Sequence, residues 1–365
     1  MTASYSLYLE MLRVIATLIV FVSHSSMLLD PLSKNAWLDH FGRDGVIFFF
    51  VLSGYVISWC ANERDHTATT YAVNRASRIY SVALPALALA LAVTLVLCAI
   101  GSTPELDYRL KKLWLYLPIW LSFTGNVWYL NETPPNNFPY WSLYYEVWYY
   151  VMFAVFFYMQ GRWRWPLLAL LAAMVGPSIL QLGVLWLAGS LLYFHGHRIQ
   201  WSQRMARVVG VATAAGYVLT KALAFDDVLD SCIAPVWLFL FGSTEHAPDQ
   251  RFGDYWIGLF VVANMLSAQR AQWQFRARAE QAIRTLAAYS FSTYLYHIPL
   301  YGLLMFVLPD RRSIAQSVIA LALCIAGIVV LGRLTEQRKR GWRAVFQRLA
   351  DRLHRRAVAP RPPLG

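Results

Sequence analysis

Charge is scarce in this chain, and acids are scarcer than bases. Only 14% of its 365 residues are Asp, Glu, Lys or Arg, where a soluble domain carries about 25%. The deficit runs along the whole sequence rather than one segment. A fully water-exposed surface is thereby excluded, and lipid is expected to cover most of the protein. Cysteine is sparse as well. Cys60, Cys98, Cys232 and Cys324 stand far apart, in or near apolar runs. No C-x-x-C or other metal-ligand spacing occurs, so zinc, disulfide and thiol-nucleophile readings are weak. The four read best as small buried hydrophobes, and no metal is expected. No cleavable leader is expected either: no Lys or Arg precedes the first apolar run, Arg13 interrupts it, and no small-residue cleavage site follows. That run is expected to be a retained span. The net charge of +12 comes without a compact basic fold, which sets nucleic acid aside as a partner.

What is abundant is apolar surface. Hydrophobic residues make up 58% of the chain, with 15 Trp and 21 Tyr, as suits rings seated at headgroup level. A span takes roughly 20 apolar residues. Runs of that kind lie near 7–29, 44–61, 79–100, 141–160, 165–180, 182–195, 207–224, 253–268, 285–308 and 313–332. The expected fold is all-α: a polytopic transmembrane helical bundle of about ten spans, with N- and C-termini cytoplasmic. Two shorter apolar pieces, 113–129 and 231–242, read as interfacial or re-entrant. Residues 1–332 form the membrane domain and 333–365 a basic cytoplasmic tail.

Basic residues set the orientation. Segments 62–78, 161–164, 196–206, 269–284 and 333–365, with Arg13 and the boundary residue Arg207, hold 23 of the 32 Lys and Arg. Counting 231–242 as one more crossing would push the four Arg of 269–284 outside. The tail reads as a topology anchor or an amphipathic helix on anionic lipid. The opposite face carries acids, among them Asp30, Asp39, Asp44, Glu132, Asp226, Glu245, Asp249 and Asp254. Its longest stretch, 101–140, is rich in Pro, Asn and aromatics. It is either an ordinary surface loop or a face for sugars, whose C–H faces suit rings and whose hydroxyls suit amides.

Charged groups within a span cost about 2.5–3.5 kcal/mol each, so the retained ones are informative. The first span holds Glu10, Arg13 and His24. Eleven residues separate Arg13 from His24, which places both on one helical face, about 16 Å apart along the axis. The guanidinium suits a phosphate and the imidazole a general base; snorkelling and helix packing are the plainer readings. In the second span, Gly45, Ser53 and Gly54 suit close backbone approach, with Asp44 at its outer mouth. Arg75 and Arg78 share a helical face and either grip phosphate or anchor topology. Glu146 lies in the aromatic run YWSLYYEVWYY, at a depth expected to match His24. Further on, His297 sits mid-span beside Pro299, with Ser290 and Tyr294 on nearby turns.

Taken in order, these segments resemble the acyltransferase-3 family of membrane acyltransferases. The matching residues are Arg13 with His24, the segment GVIFFFVLSGY, Arg75 and Arg78, Trp141-Ser142-Leu143 with Glu146, and Tyr289-Ser290 through Tyr294, His297 and Pro299. They extend over roughly residues 7 to 332. The resemblance implies an acyl-CoA-dependent O-acyltransferase, with acetyl-CoA the default donor. Its acceptor would be the hydroxyl of a carbohydrate such as an exopolysaccharide, O-antigen or lipid-linked sugar, and its site the bacterial inner membrane. It also implies about ten spans, and at this length no fused extracytoplasmic domain is expected. His24 and Glu146 become the expected catalytic residues, with Glu146 orienting the imidazole. Arg13, Arg75 and Arg78 become the expected CoA-binding residues. Asp44, Ser53, Trp141, Ser142, Tyr294 and His297 are expected to support or contact substrate. Two departures stand out. Many members carry an Asp where this chain has Ile47, which leaves open whether Asp44 replaces it, and many place a Pro soon after the Arg-Ile pair, where the first here is Pro85.

Intramembrane charges also suit a transporter or flippase for a polysaccharide intermediate, the main alternative. That reading calls for inverted repeats and broken helices, and no such repeat is visible. A glycan polymerase or ligase would need no CoA, and a scaffold would have no reason to keep His, Glu and Arg within spans. Expected partners are membrane lipids, the carbohydrate acceptor and acyl-CoA. A homodimer is one option for the oligomeric state.

Overall fold

The computed structural model describes residues 1–28, 41–101, 104–241, 251–308, 310 and 312–358. Asp30, Lys34, Asp39, Glu245, Asp249, Arg311 and the tail beyond 358 lie outside the described residues. Within them all regular structure is helical. In chain order the helices are α1 (Ala3–Ser23, continued by a 3₁₀ turn His24–Met27), α2 (Phe41–Glu63), α3 (Ala68–Gly101), α4 (Pro104–Lys111), α5 (Leu113–Leu121), α6 (Trp141–Tyr158), α7 (Arg164–His195), α8 (Gln203–Ala222), α9 (Phe225–Phe241), α10 (Phe252–Ala271), α11 (Ala277–Ala287), α12 (Ser290–Val307), α13 (Ile314–Leu334) and α14 (Lys339–Val358).

Five of these, α1, α2, α3, α7 and α13 with its extension, are long and apolar enough to cross a membrane. A sixth arises if α8 and Phe225–Ile233, bent by 69°, form one span. The protein is thus an all-helical, multi-pass membrane protein. Helices α6, α10 and α12 run beside these, and α6 and α12 carry more Tyr, Ser and His than the five.

Contacts fix the directions. α1 and α2 are antiparallel: Tyr5 packs on Tyr55, while Gly45 lies against Ala16 and Val20. α2 and the second half of α7 run parallel in near backbone contact. A Cβ on Gly54 would stand 1.8 Å from the Trp186 carbonyl oxygen, and one on Gly189 would stand 1.9 Å from that of Val51. The expected role of Gly54 in close packing is met, and Ser58 and Ser190 share a hydrogen bond of 2.7 Å across the same seam. α8 and α10 are antiparallel. Arg207 meets the carbonyl of Ala271, Asn264 meets Gly210 and Thr213, and Trp256 meets Thr220. Ala222 and Phe252 therefore lie at one end of the bundle.

The runs expected at 165–180 and 182–195 belong to one helical stretch, α7, that turns five residues before the expected break. Trp165 packs on Phe156, and Phe194 on Phe157. A straight helix would hold residues 165 and 194 about 43 Å apart, so the stretch must double back. The reversal is at Gly176, with φ 76 and ψ 178, a conformation open essentially to glycine alone. There the Val175 carbonyl accepts from the Trp128 N–H at 2.9 Å. A second adjustment concerns the start of α3. It begins at Ala68 rather than near 79, so Arg75 and Arg78, expected on one helical face, project from within a 34-residue helix.

The basic tail is helical from Lys339 to Val358. Its Phe346 packs on Tyr80 of α3.

Candidate active site

The first span ends in Ser23-His24-Ser25-Ser26. The hydroxyls of Ser23, Ser25 and Ser26 donate to carbonyls three residues back, bonding that competes with the α-helical ladder. The chain tightens to a 3₁₀ turn there, and this turn aims His24 at α12. His24 Nδ1 lies 2.9 Å from His297 Nε2. The two rings stack with centroids 5.1 Å apart and planes 10° from parallel. His297 is fully buried, and its Nδ1 lies 2.9 Å from the Thr293 carbonyl oxygen. A carbonyl only accepts, so the network assigns the proton to His297 Nδ1. Nε2 of His297 must then accept, and His24 Nδ1 must donate. The lone pair of the pair is thereby carried to His24 Nε2.

Two neighbours shape this end. Phe138 sets its edge on the His24 ring, centroids 4.9 Å apart. Gly42 opens α2 against His24: a Cβ there would stand 2.6 Å from Ser23 Oγ and 3.3 Å from His24 Nε2. Pro299 has no N–H to give the Leu295 carbonyl. Buried Asn137 supplies the donor instead, at 3.3 Å, which ties the 101–140 segment to the helix bearing His297.

One turn toward the basic end, the Tyr294 and Ser142 hydroxyls share a hydrogen bond of 2.7 Å, and whichever accepts there has its own proton for the Pro139 carbonyl, which lies 3.1 Å from Tyr294 and 3.2 Å from Ser142. Glu146 lies a further turn along α6. From His297 to Tyr294 is three residues and from Ser142 to Glu146 is four, so Glu146 sits about 10 Å deeper than the histidines. The expectation that it lies level with His24 is not met, and the side chain at His24 Nδ1 is His297. Glu146 Oε1 instead accepts from Ser53 at 3.1 Å and from Tyr150. Trp186 Nε1 donates to Ser53 from α7. The depth was misjudged because α6 enters from the Phe138–Tyr140 turn already well inside the bundle, beside buried Tyr140 and Tyr144.

Beyond Glu146 lies a layer of cations. Arg75 and Arg78 both act electrostatically on Tyr150. Arg13 donates to the Ala287 carbonyl at 3.2 Å, at the C-terminal, electronegative end of α11. It also feels Arg78, Glu336 and Glu10. Arg75 pairs with Asp65 at 3.5 Å, and Arg78 lies over the Phe291 ring. The Nε atoms of Arg13 and Arg75 are buried without a hydrogen-bond partner. Such donors are costly to leave unmade, and they suit an anion with several oxygens. Arg13 and His24 face one neighbouring segment, since Ala287 and His297 are ten residues apart along α11 and α12.

The remaining candidates lie elsewhere. Asp44 is buried and pairs with Lys221 at 3.2 Å, and it accepts from Tyr217 at 3.0 Å. Lys221 also pairs with Asp226 at 2.5 Å. Beside them Arg43 grips Asp254 with bonds of 2.7–2.9 Å. Ile47 is fully buried with Gly258 alongside, so Asp44 stands one turn outward of that position and in a different set of contacts. Trp141 is half-buried against Tyr145 and Phe50.

Sequence reasoning passed over Gly42, Asn137, Phe138, Tyr150, Glu336 and Lys339. The one available signal was Pro299, which announces an unpaired carbonyl four residues earlier and so a donor such as Asn137. The cysteines are free, with Cys60 and Cys324 buried, Cys98 partly so and Cys232 exposed. No group of three metal-ligating side chains is found among the described residues.

Residues 6–333, nearly the whole chain, match the sequence model of a family described as an acyltransferase domain. No curated protein and no solved structure matches.

Proposed function

The chain belongs to the acyltransferase-3 family and is a membrane O-acyltransferase, and from that premise we propose that it moves an acyl group from acyl-CoA, by default acetyl-CoA, to a carbohydrate hydroxyl. The acceptor class is an exopolysaccharide, O-antigen or lipid-linked sugar at the inner membrane. In this reading the chain crosses about ten times, with both termini and the arginine layer on the cytoplasmic side, where CoA esters are made.

The observation that carries the proposal is the line of polar groups running through the bundle from the arginines to the histidines. Arg13, Arg75 and Arg78 stand at one end and the His24–His297 pair at the other, with Glu146, Tyr150, Tyr294 and Ser142 between them. The arginines hold the phosphates of CoA, and the pantetheine arm follows α1 for about 16 Å toward His24. His24 Nε2 takes the proton of the acceptor hydroxyl while that oxygen attacks the thioester carbon. The C–S bond then breaks, the ester forms, and the departing thiolate receives the proton from the imidazolium. His297 keeps His24 in the tautomer that leaves Nε2 basic, the task an orienting group performs in other base pairs. Tyr294 and Ser142 offer hydroxyls to the developing oxyanion.

The test is acyl transfer from labelled acetyl-CoA in proteoliposomes, with surface glycans of wild-type and deletion cells compared by mass spectrometry. Transfer by the wild type, lost in His24→Ala at equal membrane level, is the expected result. Movement of a glycan intermediate without any acyl transfer would point to a flippase instead.

A further inference from the structure

The arginine layer has a fourth cation, contributed by the tail. Lys339 opens α14, six residues beyond the last residue that matches the family. It interacts electrostatically with Arg13, Arg75, Arg78 and Glu336. The side chain is exposed, and it has no hydrogen bond or ion pair among the described residues. The segment bearing it is fixed on both sides. Upstream, Glu336 accepts from the Ser292 N–H at 3.0 Å and from its hydroxyl at 2.7 Å, and Thr335 accepts from Tyr296 at 2.9 Å. Downstream, Phe346 packs on Tyr80, two residues past Arg78 on α3. The tail is thus stapled to α12 and α3, which holds its one lysine within electrostatic reach of the cations of the core.

Two carboxylates stand among these four cations: Asp65, which pairs with Arg75 at 3.5 Å, and Glu336. Glu336 acts on both Arg13 and Arg78, so it occupies the kind of place a phosphate oxygen would take. Glu10 also acts on Arg13 but is itself paired with Arg284, so four cations face Asp65 and Glu336 and the layer keeps an excess of positive charge, a draw for a ligand bearing several phosphates. We propose that Lys339 is part of the binding site for the phosphates of the acyl donor, and that Glu336 is the internal anion which those phosphates compete with. The inference rests on the acyl-CoA reading and assigns the tail a part in donor recognition.

The two residues predict shifts of opposite sign, which a merely structural role would not produce. In nanodiscs of phosphatidylcholine alone, so that no anionic headgroup competes, KM for acetyl-CoA is measured for the full-length wild type, Lys339→Ala, Lys339→Arg and Glu336→Gln. Lys339→Ala should raise KM roughly two- to fivefold, the range of an exposed charge contact. Lys339→Arg should restore it, and Glu336→Gln should lower it. Both shifts should vanish with S-acetyl-pantetheine, which lacks the phosphates. Adding anionic lipid should raise KM for acetyl-CoA in the wild type more than in Lys339→Ala if headgroups reach the same cations. Shifts of the same sign in the two variants, or shifts that persist with the phosphate-free donor, would overturn the proposal. A wild type that accepts no acyl group from acetyl-CoA sinks the underlying reading. A wild type that does, with Lys339→Ala at the same KM, sinks this inference alone.

Discussion

His24 Nδ1 donates to His297 Nε2 over 2.9 Å, and His297 in turn donates from Nδ1 to the Thr293 carbonyl. Each proton position follows from the one before, because the last acceptor in the chain is a main-chain oxygen. The pair behaves as a unit, so its members should not be additive. His24→Ala is expected to lower kcat by about 10²–10⁴-fold, the usual contribution of a general base. His297→Ala should lower it as well, by freeing the His24 tautomer. The double variant should be no worse than His24→Ala alone. Rates of labelled acetyl transfer decide this; a double variant slower by the product of the two single losses would mean that the histidines act separately.

Glu146 provides a second, sharper case. Its carboxylate is bound by Ser53 and Tyr150, and Tyr150 lies under the influence of Arg75 and Arg78. Through Tyr150, Glu146 is linked to the arginine layer, and we propose that it serves that layer rather than the imidazole. Glu146→Gln is therefore expected to change KM for acyl-CoA while leaving the pH dependence of kcat in place. A shifted pH profile at unchanged KM would return Glu146 to the service of His24.

The helical, membrane-embedded class was legible from charge scarcity and apolar runs, because those are properties of composition. The seam between α2 and α7 was legible in part: Gly54 announced a close approach, but its partner Trp186 lies 132 residues away. The candidate site was legible as residue types, since His24, His297, Arg13, Arg75 and Arg78 each stand out against an apolar background. Their pairing was not. Which imidazole meets which acid depends on how far each helix is pushed along its axis, and periodicity carries no information on that. Glu146 looked level with His24 for this reason, and the structure sets it about 10 Å deeper. The Gly176 reversal was hidden for another: Gly-Pro in an apolar run can end a helix, kink it or turn it back, and only Trp128, packed into the bend, distinguishes the three.

Asp44 and Lys221 form a buried pair, with side chains 4% and 6% exposed. Removing one partner of such a pair typically costs about 3–5 kcal/mol, because the other charge is left buried. The two removals are not equivalent here. Lys221→Met strands both Asp44 and Asp226, whereas Asp44→Asn leaves Lys221 its bond to Asp226 at 2.5 Å. Thermal unfolding in detergent should show a large loss for Lys221→Met and a smaller one for Asp44→Asn. Equal losses would mean that Asp226 contributes nothing to the pair.

The reversal in α7 can be tested by linking its two arms to α6. Phe156 touches Trp165 and Phe157 touches Phe194, so cysteines at 156 and 165, or at 157 and 194, should each be joined by a short bifunctional maleimide. The background must lack Cys60, Cys98, Cys232 and Cys324, all of which are free thiols. A straight α7 could allow only one of the two links, since it would carry residues 165 and 194 about 43 Å apart. Gly176→Ala should then separate the arms. The added Cβ meets the Trp128 Cα at 2.8 Å, and φ of +76 is strained for any side chain. Because the clash involves main chain, Trp128→Ala should not rescue it. The expected pattern in Gly176→Ala is loss of the 156–165 link with the 157–194 link retained, since the second arm stays packed against α2 through Gly54 and Gly189. Retention of both links would show that the turn is held by contacts elsewhere and that glycine is dispensable at its apex.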